Sequence, residues 1–363
     1  MLYLDKVISI IKNFRCEGEP IAVKAMNAGR INTTYRVDFE NESYTLQKIN
    51  KYVFKKPDEV MHNIVLVTEH LRDKIKKAGG DIKRECLEVI KTVEGKPYYI
   101  DSDGEYWRAY RYIDGVYTLD ENAEDIKLEG AGYGFGKFQN MLSDFDATKL
   151  YETIPNFHNE ISRFEDFKEA VREDKFKRAE GAKAEIDFCM KRGDDIRKLS
   201  IMQQNGELPI RVTHNDTKVN NILIDNEKDE ALCVIDLDTV MPGISVLDFG
   251  DAARFITNTA SEDETDLSKV RIDLKKYEYL ARGYLSAVGE SLTKTERDNL
   301  SQGAKTMTME IGMRFLTDYL EGDVYFGIDH EGQNLERARC QFALAASMEE
   351  NFDEMIKIIQ SCD

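Results

Sequence analysis

The sequence predicts an α+β fold with two lobes, a small antiparallel-sheet lobe followed by a helix-rich lobe. Two patterns indicate this order. Short apolar runs bounded by turn residues occupy 21–112, whereas apolar residues recur at helical spacing over much of the chain beyond 125. A length of 363 residues is sufficient for two lobes with a substantial core. A glycine-containing break at 113–116 places the boundary, which gives lobes of 1–113 and 114–363.

The predicted N-terminal lobe begins with an amphipathic helix within 2–14, where apolar residues recur every three or four positions. Pro57 opens a second helix with acidic residues in its first turn, and Gly79-Gly80 ends it. The rest of this lobe has the alternation and turn residues typical of strands. We predict strands at 21–26, 34–39, 44–49, 87–92, 96–100 and 105–112.

The predicted C-terminal lobe is mainly helical, with helices at 125–141, 163–191, 274–290, 294–319 and 334–359. Three apolar β runs lie between these helices. The run at 209–213 leads into a polar loop, and the runs at 221–225 and 231–235 flank a charged turn. The last two runs predict a hairpin with Asn221 at the start of one strand and Asp236 at the end of the next.

The polar loop carries the most informative pattern in the chain, His214-x-Asp216-x4-Asn221, with Asp236 following after a short gap. Kinase-like enzymes place an aspartate, an asparagine and a later aspartate at this spacing for phosphoryl transfer, so the expected fold is protein-kinase-like. In that arrangement Asp216 receives the proton of the acceptor, and Asn221 and Asp236 offer oxygen ligands to Mg²⁺. His214 is predicted to be a buried organiser of the loop.

Acidic residues beyond Asp236 are predicted to support these loops. Asp238 lies two residues after Asp236, while Asp248 and Asp251 are placed to brace the backbone of the catalytic loop or to cap a helix. Arg254 lies at helical reach from Asp251, and an exposed ion pair is expected there.

The nucleotide is expected in the N-terminal lobe. The tip of the first hairpin contains glycine and small polar residues, whose backbone N–H groups suit phosphate oxygens. The third strand should supply a cation, and either Gln47 or Lys48 faces the nucleotide because neighbours on a strand point to opposite sides; charge favours Lys48. The glycine-containing break at 113–116 is the expected hinge, whose backbone edge pairs with adenine. The predicted nucleotide-binding residues are Gly29, Asn32, Thr33, Thr34, Gln47, Lys48, Arg111, Tyr112 and Ile113.

The segment 312–326 is the candidate acceptor site, because it is dense in aromatic residues around Arg314. Aromatic faces with a few hydrogen-bond donors suit the C–H face and hydroxyls of a sugar. An aromatic stripe at helical spacing is also typical of a core, and the sequence leaves both interpretations open.

Composition excludes several classes of partner and location. The net charge of −18 disfavours nucleic acid and anionic membranes as partners. No apolar run reaches the length of a membrane span, and the first residues lack the pattern of a signal peptide. The six scattered cysteines indicate free thiols in a reducing compartment. We therefore expect a cytoplasmic monomer that acts on a small molecule.

Several longer stretches resemble the bacterial N-acetylhexosamine 1-kinases, within the aminoglycoside phosphotransferase and choline kinase superfamily. The stretches are 29–35, 46–50, 152–158, 213–218, 235–243, 248–251 and 314–319. The resemblance implies an ATP-dependent, Mg²⁺-dependent kinase that phosphorylates the anomeric C1 hydroxyl of GlcNAc or GalNAc. It also implies Asp216 as base and substrate contact, Asn221 and Asp236 as magnesium ligands, and Arg314 and Tyr325 as sugar contacts. Thr33 departs from the family, which often carries an acid at that position.

Three other functions compete with this one. An aminoglycoside or amino-alcohol phosphotransferase of the same fold would suit the acidic composition, although an arginine in the acceptor site repels amines. A protein kinase would need a Gly-x-Gly-x-x-Gly loop and an Ala-Pro-Glu segment, which the chain lacks. A non-catalytic binding protein on the same scaffold would not need Asp216, Asn221 and Asp236 together.

Overall fold

The computed structural model describes residues 2–26, 31–120 and 123–362. The chain divides into two compact units. The first consists of Met1–Thr118, Asp144–Ile154 and Ile222–Met241, and the second of Leu119–Ser143, Pro155–Asn221 and Pro242–Asp363. The sequence predicted one boundary after residue 113, whereas the first unit also contains two later segments of the chain.

An antiparallel sheet dominates the first unit, as the sequence predicts. Among the described residues, six strands form this sheet in the order β1-β2-β3-β6-β4, and β5 also pairs with β6. Two helices belong to the same unit. The elements are α1 (Leu2–Ile11), β1 (Pro20–Met26), β2 (Thr33–Phe39), β3 (Ser43–Lys48), α2 (Pro57–Lys77), β4 (Val89–Ile90), β5 (Tyr99–Ile100) and β6 (Tyr106–Arg111).

One face of this sheet is apolar and packs against α1. Leu46 of β3 and Ala109 of β6 are completely buried there, together with Val7 and Ile11 of α1. Side chains alternate between the two faces of a strand, so the residues next to Leu46 and Ala109 lie on the opposite face. That opposite face is polar and carries Gln47 of β3 and Arg108 of β6.

A second, three-stranded sheet completes the first unit, in the order β10-β9-β7. Its strands are β7 (Val116–Thr118), β9 (Ile222–Asp225) and β10 (Ala231–Val234). The hairpin of β9 and β10 confirms the sequence prediction, with Ile222 paired to Val234. The pairing of β7 with β9 was not predicted, because β7 lies more than a hundred residues earlier in the chain.

The second unit is helical, and several of its helices are shorter than predicted. They are α3 (Asp125–Met141), α4 (Glu160–Glu173), α5 (Lys183–Lys191), α6 (Gly193–Ile196), α7 (Lys198–Gln204), α8 (Ser245–Thr257), α9 (Leu274–Val288), α10 (Lys294–Asp298), α11 (Leu300–Leu320), α12 (Gln333–Glu350) and α13 (Phe352–Ser361). The single helix predicted at 163–191 is wrong. Asp174 adopts a left-handed conformation (φ 39°) and ends α4. The helix α8 was not predicted. Two short strands, β8 (Arg211–Thr213) and β11 (Met241–Gly243), also pair.

Two glycines allow α8 and α11 to pack with their backbones in contact. A Cβ atom on Gly250 would lie 2.3 Å from the carbonyl oxygen of Gly303, and a Cβ on Gly303 would lie 2.1 Å from that of Val246. Any larger side chain would force the helices apart. This contact holds together the two helices that carry most of the charged candidates in the second unit.

None of the helices in the described part of the chain combines the length and the apolar character that a membrane span requires. No disulfide joins the six cysteines, in agreement with the sequence prediction.

Candidate functional site

The loop after β8 is built around a buried histidine. His214 is completely buried, and its Nδ1 accepts the backbone N–H of Asp216 at 3.2 Å. The rings of Phe135 and Phe138 pack edge-on against the imidazole, with centroids 6.2 and 5.8 Å away. The imidazole therefore fixes the backbone at Asp216 and is itself fixed by the core of the second unit.

Two carboxylates of α8 bind the backbone of the same loop. Asp248 accepts the N–H of His214 at 2.7 Å and that of Asn215 at 2.8 Å, one with each oxygen. Asp251 accepts the N–H of Thr217 at 2.9 Å. Burial raises the pKa of Asp248, and the nearby His214 with these N–H donors offsets part of that rise. The bracing contacts suggested by the sequence are thus present, and their part in catalysis stays a prediction.

The expected exposed ion pair of Arg254 with Asp251 is wrong. Both side chains are 5% exposed, and they meet at 2.9 Å. Burial alone would lower the pKa of Arg254, but Asp251 and Glu262 outweigh it and the pKa is raised. The reason for the error is that α8 is buried along nearly its whole length, which the sequence pattern did not reveal.

The carboxylate of Asp216 lies between an amide and an ammonium group. Lys218 Nζ is 2.9 Å from Asp216 Oδ1, and Asn221 Nδ2 donates to Asp216 Oδ2 at 3.2 Å and to its backbone oxygen at 2.8 Å. Burial disfavours the charge on Lys218, but Asp216 and Asp251 outweigh this effect and raise the pKa of the lysine. Because Asn221 turns its nitrogen toward Asp216, its amide oxygen points away and is the atom suited to a hard cation.

In the first unit, Asp236 and Asp238 follow β10. Asp236 is exposed and has a left-handed backbone (φ 60°), a conformation that aspartate tolerates better than most residues. Asp238 is buried, and its two oxygens accept hydrogen bonds from Arg108 and from Nδ2 of Asn32, the latter at 2.5 Å. Arg108 also donates to Gln47 Oε1 at 3.0 Å. Asp238 is therefore bound to strand β6 and to the residue that directly precedes β2.

The register of β3 bears on the choice between Gln47 and Lys48. Gln47 pairs with Arg108 of β6, whereas Lys48 pairs with Trp107 and shares its face with the buried Leu46. Gln47 thus lies on the face of Arg108, and Lys48 lies on the face that packs against α1. The charge argument for Lys48 overlooked Arg108, a cation on the neighbouring strand. The sequence signal that could have identified Arg108 is its position within a strand rich in aromatic residues.

The other residues predicted to bind the nucleotide differ in whether their backbone groups are already hydrogen-bonded. The N–H of Arg111 donates to the carbonyl of Glu88 at 3.0 Å, and that of Tyr112 donates to the carbonyl of Ser43 at 2.9 Å. Both donors are thus already engaged within the first unit and are not available to adenine. Ile113 is buried.

At the hairpin tip, Asn32 also accepts the N–H of Asn50 at 3.0 Å, and Thr34 accepts a hydrogen bond from Gln47 at 3.0 Å. Thr33 is exposed. Gly29 lies outside the described residues.

The structure brings Arg314 and Tyr325 together in the second unit. Arg314 Nη2 is 3.5 Å from the hydroxyl of Tyr325, and the guanidinium lies 5.1 Å from the ring centroid of Phe157 and 5.6 Å from those of Tyr325 and Phe326. Asp318 accepts the backbone N–H groups of 324–326 at 2.7–2.9 Å and so holds the loop that carries Tyr325. The core interpretation of this aromatic segment is correct for Phe315, which is buried.

A buried set of ionisable residues beside Arg314 was missed by the sequence analysis. Glu310, one turn earlier on α11, is completely buried, and so is Glu160 at the start of α4. Burial, followed by the charge of Glu310, raises the pKa of Glu160 to about 8. His158 bonds to Glu310 at 2.9 Å. His158 lies within the stretch 152–158 that resembles the N-acetylhexosamine 1-kinases, but a histidine in a loop belongs to no periodic pattern that would indicate its role.

No cluster of three or more His, Cys, Asp or Glu side chains suited to a metal ion is found in 2–26, 31–120 and 123–362. The predicted Mg²⁺ ligands are instead one amide oxygen and one carboxylate, a donor set that suits Mg²⁺, which commonly takes its other ligands from water and phosphate.

Comparisons with known proteins identify the family and the fold of this chain. The model of the phosphotransferase enzyme family matches residues 22–278, which is more than two thirds of the chain. Amicoumacin kinase hAmiN, solved with AMP-PNP and Ca²⁺, has 13% sequence identity and a TM-score of 0.59 over 94% of this chain and 92% of that one. Spectinomycin phosphotransferase APH(9)-Ia, solved with ADP, has 15% identity and a TM-score of 0.53 over 99% and 98%. Choline kinase from Cryptosporidium parvum Iowa II has 15% identity and a TM-score of 0.59 over 99% of both chains. These likenesses establish the predicted α+β fold.

Proposed function

We propose that this chain, which belongs to the phosphotransferase enzyme family, transfers the γ-phosphoryl group of ATP to the anomeric C1 hydroxyl of an N-acetylhexosamine such as GlcNAc or GalNAc. ATP-dependent transfer to a small molecule is the activity that comes with the family. The choice of acceptor is our proposal. The observation that carries it is the surroundings of Arg314 in the second unit.

The charges near Arg314 favour a neutral acceptor over an amine. Arg163 donates to the carbonyl oxygen of Phe157 at 3.3–3.4 Å, and Arg314 stacks on the ring of the same residue. Burial and the charge of Arg314 lower the pKa of Arg163, so the two guanidinium groups are near enough to repel each other. A second positive ligand would add to this repulsion. A sugar with an acyl carbonyl can instead accept hydrogen bonds from arginine and stack on the aromatic rings.

Asp216 is assigned as the residue that accepts the proton of the C1 hydroxyl. An anomeric hydroxyl is more acidic than an ordinary alcohol, so it gives up its proton to a carboxylate more readily. The transition state of phosphoryl transfer is loose and rich in negative charge, so the enzyme acts chiefly by positioning and by charge neutralisation. The ion pair with Lys218 holds the carboxylate of Asp216 in one place.

We assign Asn221 and Asp236 as the two protein ligands of Mg²⁺. When bound, the ion would supply positive charge that neutralises the phosphates of ATP. Asn221 directly precedes Ile222, which pairs with Val234, two residues before Asp236. The hairpin register thus supports this assignment, and so does the amide nitrogen of Asn221, which is turned toward Asp216.

Nucleotide binding by calorimetry tests the metal assignment. Asp236→Asn is expected to weaken the binding of ATP in the presence of Mg²⁺ and to leave binding in EDTA unchanged. Asp229→Asn is the matched control, because Asp229 also has a left-handed backbone (φ 57°) and belongs to the same hairpin. An equal effect of the metal on both variants and on the wild-type protein would remove Asp236 from the site.

An ADP-release assay over a panel of acceptors tests the proposed substrate. GlcNAc and GalNAc are expected to support turnover, whereas choline and aminoglycosides are not. Arg314→Lys should raise the KM for the sugar more than it lowers kcat, since lysine keeps the charge and loses the planar donor pair. Turnover with amines alone would reject the proposed acceptor and would favour an aminoglycoside or amino-alcohol kinase.

A further inference from the structure

The peptide group that joins Asn215 to Asp216 is held by two histidines. Its N–H belongs to Asp216 and donates to Nδ1 of His214 at 3.2 Å, and its carbonyl oxygen belongs to Asn215 and lies 3.3 Å from Nε2 of His158. Asn215 has a left-handed backbone, with φ of 63°. The orientation of the Asp216 side chain follows from the plane of this peptide, so both imidazoles control it.

His158 differs from His214 in what lies on its other side. Its Nδ1 is 2.9 Å from Oε1 of Glu310, and its imidazole is 7% exposed. A carboxylate and a carbonyl oxygen both accept hydrogen bonds, whereas a neutral imidazole has one N–H to give. Both contacts can be made only by the protonated ring. Burial opposes this charge, but Glu310 outweighs it and the pKa of His158 is raised.

Glu310 connects this histidine to the candidate acceptor residue. Arg314 Nη1 lies 3.6 Å from the same Oε1 atom that His158 contacts. The other oxygen, Oε2, is buried and has no hydrogen-bond partner within 2–26, 31–120 and 123–362. One carboxylate oxygen therefore serves both the imidazole and the guanidinium. A ligand that draws Arg314 toward itself therefore changes the electrostatic environment of His158.

The other ionisable groups around His158 are also buried. Glu160 of α4 faces the pair from one side, and Asp248 and Asp251 of α8 interact with His158 from another. The ring of Phe157 lies against the imidazole, with centroids 4.4 Å apart. The position of the imidazolium is therefore defined by α4, α8, α11 and its own loop, and its charge is balanced chiefly by Glu310.

We propose that His158 is a positioning residue which, through Glu310, couples the binding of the acceptor at Arg314 to the peptide plane that orients Asp216. The proposal rests on the proposed function, since it takes Asp216 as base and Arg314 as acceptor contact. Binding of the acceptor then orients the carboxylate of Asp216, which accepts the proton of the acceptor hydroxyl.

Kinetics of His158→Gln test the proposal, with whichever acceptor gives the highest kcat in the panel. Glutamine can donate to Asn215 but cannot also satisfy Glu310. We expect kcat for transfer to fall about 100-fold, because a small displacement of a catalytic group costs that much. The KM for ATP should stay unchanged. His330→Gln is the matched control, since His330 forms an exposed pair with Glu336 at 2.7 Å in the same unit.

A second variant and the pH profile keep the test independent of folding. Glu310→Gln should lower kcat by a similar factor, and wild-type kcat should decline on the alkaline side as His158 loses its proton. That alkaline decline should be absent in His158→Gln. Unchanged kcat in His158→Gln, or a parallel loss of transfer and of ATP binding, would overturn the proposal. Failure of the sugar as acceptor would instead be seen with the wild-type protein.

Discussion

Arg108 and Asp238 form a buried ion pair in the first unit, with side chains that are 2% and 5% exposed. The pair joins strand β6 to the turn that begins with Asp236. Burial opposes the charge on Arg108, but Asp238 outweighs it and the pKa of the arginine is raised. Asn32 and Gln47 complete the hydrogen bonds of the pair. The pair therefore holds the backbone that presents Asp236.

A double-mutant cycle on this pair should show strong coupling. Arg108→Met leaves a buried carboxylate without its partner, which costs about 3–5 kcal/mol in the free energy of unfolding. Asp238→Leu is similarly damaging because it leaves the guanidinium buried alone. The double variant should be much less destabilised than the sum, with a coupling energy of at least about 2 kcal/mol from urea denaturation. Additive losses would mean that the two side chains do not depend on each other.

The contact between α8 and α11 predicts opposite results for two glycine substitutions. Gly303→Ala places a methyl group against the carbonyl of Val246, and rigid backbone cannot yield, so we expect a loss of about 2–3 kcal/mol or more. Gly130→Ala is the control, because position 130 lies in α3 with no atom within 4 Å of a Cβ. That change should stabilise by about 0.5–1 kcal/mol. Thermal unfolding measures both, and equal effects would contradict the packing.

The buried Glu160 should make the stability fall as the pH rises. Burial and Glu310 raise its pKa from 4.5 to about 8, so the folded protein keeps a proton that the unfolded chain releases above pH 4.5. Its contribution is fully present below pH 4.5 and is lost as the pH rises toward 8, by an amount on the order of a few kcal/mol.

Glu160→Gln should flatten the profile between pH 5 and 8, measured by urea denaturation at several pH values. Glu336→Gln, at a partly exposed surface pair, should leave the slope as in the wild-type protein. A slope in Glu160→Gln as steep as in the wild type would show that another group is responsible.

Because Asp216 is assigned as the base, its substitution should slow the chemical step without weakening the binding of ATP. Asp216→Asn should lower kcat by about 10²–10⁴-fold, because the amide cannot accept the hydroxyl proton, while the affinity for ATP stays nearly the same. Steady-state kinetics and calorimetry measure the two effects. Near-normal turnover in this variant would remove Asp216 from the mechanism.

Local patterns predicted what is encoded locally. The apolar periodicity places α3 at 125–141 as observed, and the charged turn between two apolar runs gives the hairpin of β9 and β10. The break after α4 was not predictable from periodicity, because it depends on the left-handed backbone of Asp174. The helix α8 was not predicted because it is buried along nearly its whole length, and its charged residues are buried together with its apolar ones.

In the candidate site too, contacts between residues close in sequence were predictable, whereas contacts between distant residues were not. The spacing of His214, Asp216 and Asn221 is short, and the loop contacts among them are as the motif suggests. Arg108 and Asp238 are 130 residues apart, and His158 and Glu310 are 152 apart. Pairings over such separations are fixed by tertiary packing, and no single-sequence period reports them.

Phosphorus NMR of the product formed from GlcNAc and ATP identifies both the acceptor and the position of the new phosphate. We predict a phosphate resonance that is split by the anomeric proton of the sugar and that forms at least about 100-fold more slowly with Asp216→Asn. A phosphate coupled to any other ring proton, or no sugar phosphate at all, would rule out transfer to the C1 hydroxyl.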